Sequence, residues 1–248
     1  MGCQQLKGKN AIVTGGGAGI GRDIALSFAR EGANVAIIDI NEDNGKKVVE
    51  ELIQLGVRSV FFQEDLSLKK TYHQLISDIE AELGETDILV NNAGISFTTK
   101  IPDIDPDLWD LIMNTNARSM FFMSQAVFLG MMERKRGRII NISSISGDRP
   151  ALFSDAVYCA SKAAVLMITK TFAKAAKETE ITVNSVSPGY IETEMSIKIG
   201  TKVTSNDVPM GRMGYSSEIA DAVVYLASDK ASYISGHNLK VNGGAYMG

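Results

Sequence analysis

Cysteine, histidine and proline are scarce in this chain, whose 248 residues include two cysteines, two histidines and five prolines. Cys3 lies at the start of the chain and Cys159 lies in a helix-like segment. We therefore predict no disulfide framework and a reducing compartment. His73 and His237 match no metal-ligand spacing, which argues against zinc chemistry and against a Ser–His nucleophile. We predict that the protein holds no metal.

Long apolar runs and excess positive charge are also missing. No uninterrupted apolar run reaches about 18 residues, and the first ten residues, MGCQQLKGKN, lack the apolar core of a secretory signal. The formal charge is -4, and the one dense basic cluster is Arg134, Lys135, Arg136 and Arg138. We therefore expect a cytoplasmic protein that binds neither nucleic acid nor a membrane.

Short β-rich runs alternate with longer amphipathic stretches along the whole chain. The predicted strands are residues 11–14, 34–39, 59–63, 88–91, 138–142, 182–186 and 238–241. The predicted helices include residues 20–31, 42–55, 68–83, 156–177 and 217–227. Strands that are apolar on both faces and separated by helices indicate a parallel sheet covered on both sides. This pattern predicts a doubly wound, Rossmann-type α/β fold. Because no linker-like segment interrupts it, residues 1–248 are predicted to form one domain.

A glycine-rich turn follows the first predicted strand and leads directly into a helix. Its residues are Gly15, Gly17, Gly19, Ile20 and Gly21, with Gly16 and Ala18 between them. Bare backbone at the start of a helix lets a pyrophosphate approach closely, and Gly21 permits close packing of the helix on the strand. The turn by itself could also be only a tight connection. Its context therefore decides whether a dinucleotide binds there.

Asp39 supplies that context at the end of the second predicted strand, twenty residues after Gly19. A carboxylate at this position can accept hydrogen bonds from an adenosine ribose, and its charge repels a 2′-phosphate. The glycine turn contains no basic residue, and Ile40 follows Asp39. We therefore predict NAD rather than NADP as the cofactor. The alternatives for Asp39 are a solvated acid at the strand end and a cap of the next helix, which Asn41 could provide instead.

Tyr158 and Lys162 are four residues apart and so share one face of a predicted helix. A phenol is a poor base at neutral pH, and a neighbouring ammonium lowers its pKa by favouring the phenolate. The pair is suited to general acid–base catalysis. A Tyr and a Lys at this spacing also occur by chance in ordinary helices, so other motifs must support the interpretation.

Five motifs together resemble the short-chain dehydrogenase/reductase family over nearly the whole chain. They are Thr14-Gly15-x3-Gly19-Ile20-Gly21, Asn91-Asn92-Ala93-Gly94, Ser144, Tyr158-x3-Lys162 and Pro188-Gly189, in the family's order and spacing. The resemblance implies a Rossmann-type fold, a nicotinamide cofactor and hydride exchange at a carbinol or carbonyl carbon.

The resemblance also assigns roles to the polar residues of the predicted site. Tyr158 is then the acid/base, and Ser144 hydrogen-bonds the substrate oxygen. Lys162 holds the nicotinamide ribose and, with the cationic oxidised ring, depresses the Tyr158 pKa. Ser143 is the rival for Ser144, and the family's serine is usually the second of such a pair.

The family's fourth polar residue is an asparagine that positions a water linked to the lysine. Asn116 and Asn114 are the candidates. We choose Asn116, because the family pattern places this residue beyond a helical turn that begins at a tryptophan, here Trp109.

Further positions are expected to line the cofactor cleft by the same resemblance. They are Asp65, Leu66, Asn92, Ala93, Gly94, Pro188, Gly189, Ile191 and Thr193. Asp65 could instead cap a helix starting near Leu68, the Asn92 segment could be a structural turn, and Thr193 could be an N-cap.

The predicted substrate pocket is mainly apolar. Its candidate residues are Ile95, Phe97, Leu152, Phe153, Tyr190 and Met195. Such a pocket and the NAD preference favour a secondary alcohol or ketone substrate of the hydroxysteroid, polyol or aliphatic alcohol type. The alternative is a 3-oxoacyl-(acyl-carrier-protein) reductase that uses NADPH, in which Arg134, Lys135, Arg136 and Lys174 would dock an acidic carrier.

Two further expectations concern function and assembly. A catalytically silent NAD(H)-binding scaffold is an alternative of another class, but such proteins typically lose the tyrosine or the lysine, and both are present here. The Ala-rich helix at 156–176 has small and apolar residues on its other faces. The resemblance therefore implies a partner subunit and, first, a homotetramer.

Overall fold

Seven parallel strands form one sheet with helices on both faces in the computed structural model, which describes residues 4–68, 70–151, 156–199 and 203–248. The strands are β1 Asn10–Thr14, β2 Asn34–Asp39, β3 Ser59–Gln63, β4 Ile88–Asn91, β5 Arg136–Ile142, β6 Glu180–Pro188 and β7 Asn238–Val241. The α-helices are α1 Gly19–Arg30, α2 Glu42–Gln54, α3 Tyr72–Leu83, α4 Pro106–Met113, α5 Ser119–Arg134, α6 Ala156–Ala175, α7 Glu194–Ile199 and α8 Ser216–Ala227.

The strand order is β3-β2-β1-β4-β5-β6-β7, so the chain reverses its direction of travel across the sheet between β1 and β4. In an open parallel sheet, a ligand crevice forms at such a reversal, beyond the carboxyl ends of the strands. The predicted doubly wound α/β class is confirmed. Four predicted strands match the structure in both bounds, and β1, β5 and β6 are longer than predicted.

The sheet buries apolar side chains on both faces. In β1, Val13 packs on one side, in a core that includes Ile24 of α1 and Ile219 of α8. The neighbouring Ile12 points to the other side, in a core shared with Ile79 of α3 and other helical residues. Because successive side chains of a strand point to opposite faces, a run that is apolar at every position satisfies both cores. This explains why the central strands read as uninterrupted apolar runs.

Two helical regions differ from the sequence-based predictions. Helix α3 begins at Tyr72, with Thr71 as its N-cap residue, rather than near Leu68. Helices α4 and α5 are joined by a π-helical turn, Asn114–Arg118, into one continuous helical path. We predicted a helical turn at Trp109, but not the continuous helical path from α4 to α5. A π turn widens a helix locally and often occurs at functional sites.

Helix α6 carries both Tyr158 and Lys162. By length and composition alone it could cross a membrane, with a mean hydropathy of 1.2 in its most apolar window. Its contacts with β5 and β6 and its buried Lys162 are those of a helix in a packed core. Its outer face exposes Met167. The homotetramer and the single domain stay predictions.

Candidate active site

A cleft of about 620 Å³ opens at the carboxyl ends of the strands. Most of the predicted site residues line it: Gly15, Gly19, Ile20, Asp39, Asp65, Leu66, Asn92, Ala93, Gly94, Ile95, Phe97, Ser144, Tyr158, Lys162, Pro188, Gly189, Tyr190, Ile191 and Thr193. Gly17, Gly21 and Asn116 are outside this lining but contact it. Residues that lie up to 178 positions apart in the sequence therefore meet in one cavity.

The glycine turn requires glycine for two different reasons. Gly15 and Gly19 have φ angles of +62° and +52°, in the left-handed region that L side chains rarely adopt. A Cβ at Gly21 would lie only 2.1 Å from the carbonyl oxygen of Gly15, so α1 can pack this closely on the turn only without a side chain. The turn and the start of α1 therefore present bare backbone to the cleft, the arrangement that binds a dinucleotide pyrophosphate.

The Asp39 carboxylate is held rigidly at the end of β2. Its Oδ2 accepts a hydrogen bond of 2.8 Å from the Gly17 amide, and its Oδ1 accepts one of 2.9 Å from the Asn41 amide. The cap of α2 is Asn41, whose side chain accepts from the Asn44 amide at 2.9 Å. The helix-capping alternative for Asp39 is therefore wrong, and the carboxylate belongs to the wall of the cleft.

Acidic side chains dominate the part of the cleft beside Asp39. Glu64 and Asp65, which follow β3, line the same region, and the described lining there includes no lysine or arginine. Asp65 Oδ1 accepts hydrogen bonds from the amide and the hydroxyl of Ser67, at 2.9 and 2.6 Å. Asp65 thus closes a local turn and does not cap α3, contrary to the alternative considered from the sequence. A 2′-phosphate on an adenosine ribose would be repelled by the Asp39 carboxylate here.

Ser144 and Tyr158 meet at the centre of the cleft, where their hydroxyl groups share a hydrogen bond. Ser143 makes a different contact, and the choice of Ser144 as the substrate-binding serine stays a prediction. Ser143 Oγ donates instead to the carbonyl of Lys162 at 2.9 Å, which fastens α6 to the end of β5. Ser144 Oγ accepts from the Ser146 amide at 3.1 Å and begins a short 3-10 turn.

The Lys162 ammonium is buried beneath the cleft, with 4% of the residue exposed. Its Nζ donates to the carbonyl oxygen of Ile142 at 2.9 Å and lies 5.7 Å from the centre of the Tyr158 ring. Burial lowers the pKa of Lys162 to about 8. The group therefore carries a positive charge at neutral pH and loses it under mildly alkaline conditions.

The pKa of Tyr158 is governed mainly by burial. Burial raises it to about 12, and the hydrogen bond with Ser144 offsets only part of this rise. In the protein without cofactor, desolvation of the phenolate exceeds any attraction by the Lys162 ammonium, and the expected depression of this pKa by Lys162 and the oxidised nicotinamide ring together stays a prediction. Tyr158 is therefore a protonated phenol across the neutral range, which suits it to donate a proton.

Asn116 lies in the π-helical turn between α4 and α5 and is buried. Its Oδ1 accepts from the Ile95 amide at 2.8 Å, while its Nδ2 donates to the Ile95 carbonyl at 2.9 Å and to Ser161 Oγ at 3.0 Å. A Cβ on Gly94 would lie 3.3 Å from Asn116 Oδ1 and 3.4 Å from Lys162 Nζ. The asparagine and the lysine therefore flank the same glycine.

Asn92 and Thr193 both line the cleft and make hydrogen bonds that hold the local backbone. Asn92 Nδ2 donates to the carbonyls of Thr14 and Gly15, at 3.1 and 3.0 Å, and so ties the end of β4 to the glycine turn. Thr193 Oγ1 accepts from the Ser196 amide at 3.2 Å at the start of α7. Thr193 thus caps α7 as the alternative foresaw, and it also lines the cleft.

The cleft lining contains charged residues that the sequence reasoning missed, namely Glu64, Arg149 and Glu194. Ile95, Phe97 and Tyr190 line the cleft as predicted, and Arg149 lies with them. No motif includes Arg149, and the only signal was its position five residues after Ser144. The predicted pocket residues Leu152 and Phe153, and the side chain of Met195, lie outside the described part of the chain.

The basic cluster proposed for carrier docking is partly engaged within the chain. Arg134 donates to the Thr86 carbonyl at 2.9 Å, and Arg138 donates to the Glu180 carbonyl at 2.8 Å. Lys135 and Arg136 are exposed. Fewer basic side chains of this cluster are therefore available to bind a carrier protein than the sequence suggests. Among the described residues, no group of three His, Cys, Asp or Glu side chains could hold a metal ion.

Comparison with known proteins yields one family match and many full-length relatives. Residues 15–246 match the family model described as Enoyl-(Acyl carrier protein) reductase. The chain is 41% identical to the 3-oxoacyl-(acyl-carrier-protein) reductase FabG of Salmonella typhimurium, over 98% of this chain and 99% of that protein. It is 39% identical to the acetoacetyl-CoA reductase of Shinella zoogloeoides, over 96% of this chain and 98% of that protein.

Solved structures with the same fold are also related in sequence. A 3-oxoacyl-(acyl-carrier protein) reductase with bound NAD from Brucella melitensis has a TM-score of 0.90 and 33% identity, covering 99% of this chain and 94% of that one. A short-chain type dehydrogenase/reductase from Mycobacterium marinum has a TM-score of 0.94 and 33% identity, covering 99% of this chain and 98% of that one.

Proposed function

The chain belongs to the short-chain dehydrogenase/reductase family, and on that premise we propose that it reduces a 3-oxoacyl thioester at its keto carbon with NADH as the hydride donor. The resemblance noted from the sequence is thereby confirmed, and the chain is an oxidoreductase of C=O and CH–OH groups. The relatives favour the 3-oxoacyl alternative over the hydroxysteroid, polyol or aliphatic alcohol substrates that we predicted first.

The observation that carries the reaction type is the meeting of Ser144, Tyr158 and Lys162 in the cleft that also contains the glycine turn. A nicotinamide dinucleotide supplies the hydride when it is bound. The neutral Tyr158 phenol donates a proton to the substrate oxygen as negative charge develops there. The Ser144 hydroxyl hydrogen-bonds the same oxygen, already oriented for that charge.

Lys162 and Asn116 assist proton donation by Tyr158. The Lys162 ammonium lies beneath the Tyr158 ring and stabilises the phenolate that is left once the proton has moved. Asn116 fixes the backbone of Ile95 from both its amide oxygen and its amide nitrogen, so it holds one wall of the cleft beside Lys162. We propose that Lys162 also binds the ribose of the cofactor and that Asn116 positions the water that resupplies the proton.

The proposed preference for NADH rests on the charges beside Asp39. This carboxylate can accept hydrogen bonds from the 2′- and 3′-hydroxyl groups of a ribose. Glu64 and Asp65 add negative charge to the same region. The name FabG by itself does not decide between the two cofactors, and the NAD bound to the Brucella melitensis relative is compatible with the proposal.

The proposed function is tested by steady-state rates with NADH and NADPH on four substrates. These are acetoacetyl-CoA, the acetoacetyl thioester of N-acetylcysteamine, a ketosteroid and a keto sugar. We expect kcat/KM with NADH to be highest for the thioesters, by at least about tenfold, a difference of about 1.4 kcal/mol in transition-state binding. Turnover of the steroid or the sugar without the thioesters contradicts the substrate proposal. NADH binding without any turnover favours the silent scaffold.

Substitution of Asp39 separates its charge from its structural hydrogen bonds. Asp39→Asn keeps an acceptor for the Gly17 amide but removes the negative charge, and Asp39→Ala removes both. We expect Asp39→Asn to reduce the preference for NADH over NADPH about 10- to 100-fold, chiefly through a lower KM for NADPH, because a charge interaction of about 1.4–2.8 kcal/mol disappears.

Asp39→Ala serves as the matched comparison, because it should raise the KM for both cofactors by disturbing the turn. Adding Ala18→Arg to Asp39→Asn should favour NADPH further, since Ala18 lines the cleft beside the turn. An unchanged ratio of kcat/KM for the two cofactors in Asp39→Asn would show that this carboxylate does not select the cofactor.

A further inference from the structure

Arg149 is a cationic side chain in the cleft that the reaction scheme above does not use. Among the described residues that line the cleft, Arg149 and Lys162 alone are basic. Lys162 is buried and donates to the Ile142 carbonyl. The guanidinium of Arg149 is therefore the basic group through which the described cleft can bind an anion.

The contacts of Arg149 with the described residues occupy few of its donors. Its Nη2 donates to the hydroxyl oxygen of Tyr190 at 3.3 Å, a long hydrogen bond between groups that both line the cleft. In the described part of the chain, no carboxylate lies within ion-pair distance of it. Asp207 is near enough for a weaker effect: its pKa is lowered mainly by hydrogen bonds from Thr204 and least by Arg149.

The neighbouring acid does not neutralise this charge. Asp148 Oδ2 accepts from Asn238 Nδ2 at 3.1 Å and lies 3.9 Å from Lys240 Nζ, so its carboxylate is directed to β7. Asp148 is outside the cleft lining, while Arg149 is part of it. Two consecutive residues of opposite charge are thus held on different sides of the loop after β5. Within the described part of this loop, Arg149 is therefore the charged residue that lines the cleft.

We propose that Arg149 binds an oxyanion of the substrate, a carboxylate or a phosphate, and so selects anionic 3-oxoacyl thioesters. A guanidinium offers five N–H groups in a planar fork that matches the two oxygens of such an anion, and the Tyr190 hydroxyl uses one of them. The proposal rests on the proposed function for the nature of the reacting group. The anion is either a carboxylate at the far end of the acyl chain or the phosphate of a pantetheine arm.

Three thioesters distinguish these sources in steady-state assays with NADH. The neutral compound is acetoacetyl-N-acetylcysteamine, the second is acetoacetyl-phosphopantetheine, and the third is a 3-oxoacyl-N-acetylcysteamine whose chain ends in a carboxylate. We expect the wild type to have a KM at least about tenfold lower for one anionic compound than for the neutral one. Arg149→Met should raise that KM about 10- to 100-fold, as expected for a charge-assisted hydrogen bond, and leave the neutral compound within about twofold.

Two further variants complete the design. Arg149→Lys keeps the charge without the planar fork and should recover part of the lost affinity. Arg30→Met removes an exposed arginine at the end of α1, outside the cleft, and should change nothing. Equal KM values for all three compounds in the wild type, or an equal effect of Arg149→Met on all three, overturn the proposal.

Binding to the Tyr158→Phe protein separates the anion site from the reaction. Calorimetric titration of the same compounds, with and without Arg149→Met, measures affinity where no turnover occurs. Anionic compounds that bind through Arg149 but are not reduced by the wild type would support the anion site and contradict the reductase proposal. Reduction by the wild type without any effect of Arg149→Met on binding would contradict the anion site alone.

Discussion

Replacement of Tyr158 by phenylalanine should reduce kcat for carbonyl reduction by about 100- to 10,000-fold, the usual contribution of a positioned general acid. The substitution removes the proton donor and the hydroxyl that meets Ser144, but keeps the ring that packs over Lys162. The Kd for NADH should change by less than about threefold, because the glycine turn and Asp39 are untouched. Single-turnover rates and NADH fluorescence titration measure the two effects.

Ser144→Ala is the matched comparison for this variant. It removes a hydroxyl from the same hydrogen bond but leaves the acid in place, so its kcat should fall less, by about 10- to 1,000-fold. A Tyr158→Phe protein with more than a tenth of the wild-type kcat would mean that another group supplies the proton. Loss of NADH binding in Tyr158→Phe would instead indicate a structural role for the hydroxyl.

Replacement of Lys162 by methionine should abolish turnover and at the same time stabilise the protein. The buried ammonium has one hydrogen-bond acceptor, the Ile142 carbonyl, among the described residues, and burial lowers its pKa to about 8. One pKa unit corresponds to about 1.4 kcal/mol, so its burial costs on the order of 3 kcal/mol. Methionine avoids this cost but leaves the carbonyl without its donor, a loss of about 1 kcal/mol. We expect the free energy of unfolding at pH 7 to rise by about 1–2 kcal/mol.

The pH dependence of the free energy of unfolding tests whether the buried charge of Lys162 causes this difference in stability. Below about pH 8 the amine is protonated in both folded and unfolded protein, and the full cost is present. Between about 8 and the ordinary value of 10.5, the unfolded chain binds more protons than the folded one, so wild-type stability contributed by this group rises with pH.

The advantage of Lys162→Met should therefore shrink over this window and reverse near pH 10. Urea unfolding at pH 7 and pH 10 measures it, with Lys162→Arg as the variant that keeps the charge. A variant that is less stable than the wild type at pH 7 would show that the ammonium is not a burden on the fold. The same deprotonation should make the rate of reduction fall as the pH rises past about 8, because the charge beneath Tyr158 is lost.

The sheet and the centre of the site follow from local sequence signals. Strands such as β2 and β4 were predicted to the residue because each contains an uninterrupted apolar run, residues 35–38 and 88–90, that ends at Asp39 or Asn91. The glycine turn was recognisable because its glycines are required by backbone conformation and by contact, as the distance from Gly21 to the Gly15 carbonyl shows. Patterns with a strict steric cause are readable without knowledge of tertiary contacts.

Features that depend on tertiary contacts could not be predicted from local sequence patterns. The π-helical turn at Asn116 is stabilised by hydrogen bonds to Ile95, which lies 21 residues earlier in the chain. The rise of the Tyr158 pKa in the protein without cofactor was also not readable, because spacing on a helix reports which charge is nearby but not how deeply the phenol is buried. Arg149 belongs to no motif, and only the orientation of Asp148 towards β7 reveals which of the two charges faces the cleft.

The hydrogen bond from the Gly17 amide to Asp39 constrains how this protein could evolve a different cofactor preference. The residue that we propose to discriminate between cofactors also accepts a hydrogen bond from the glycine turn, so one substitution there would change both cofactor selection and the shape of the turn. A mutation that removes the carboxylate outright loses affinity for the old cofactor before it gains the new one. A stepwise path must pass first through an uncharged acceptor such as asparagine, and only then can a nearby cation such as an arginine at position 18 become advantageous. The order of substitutions along such a lineage is thereby fixed by one backbone amide.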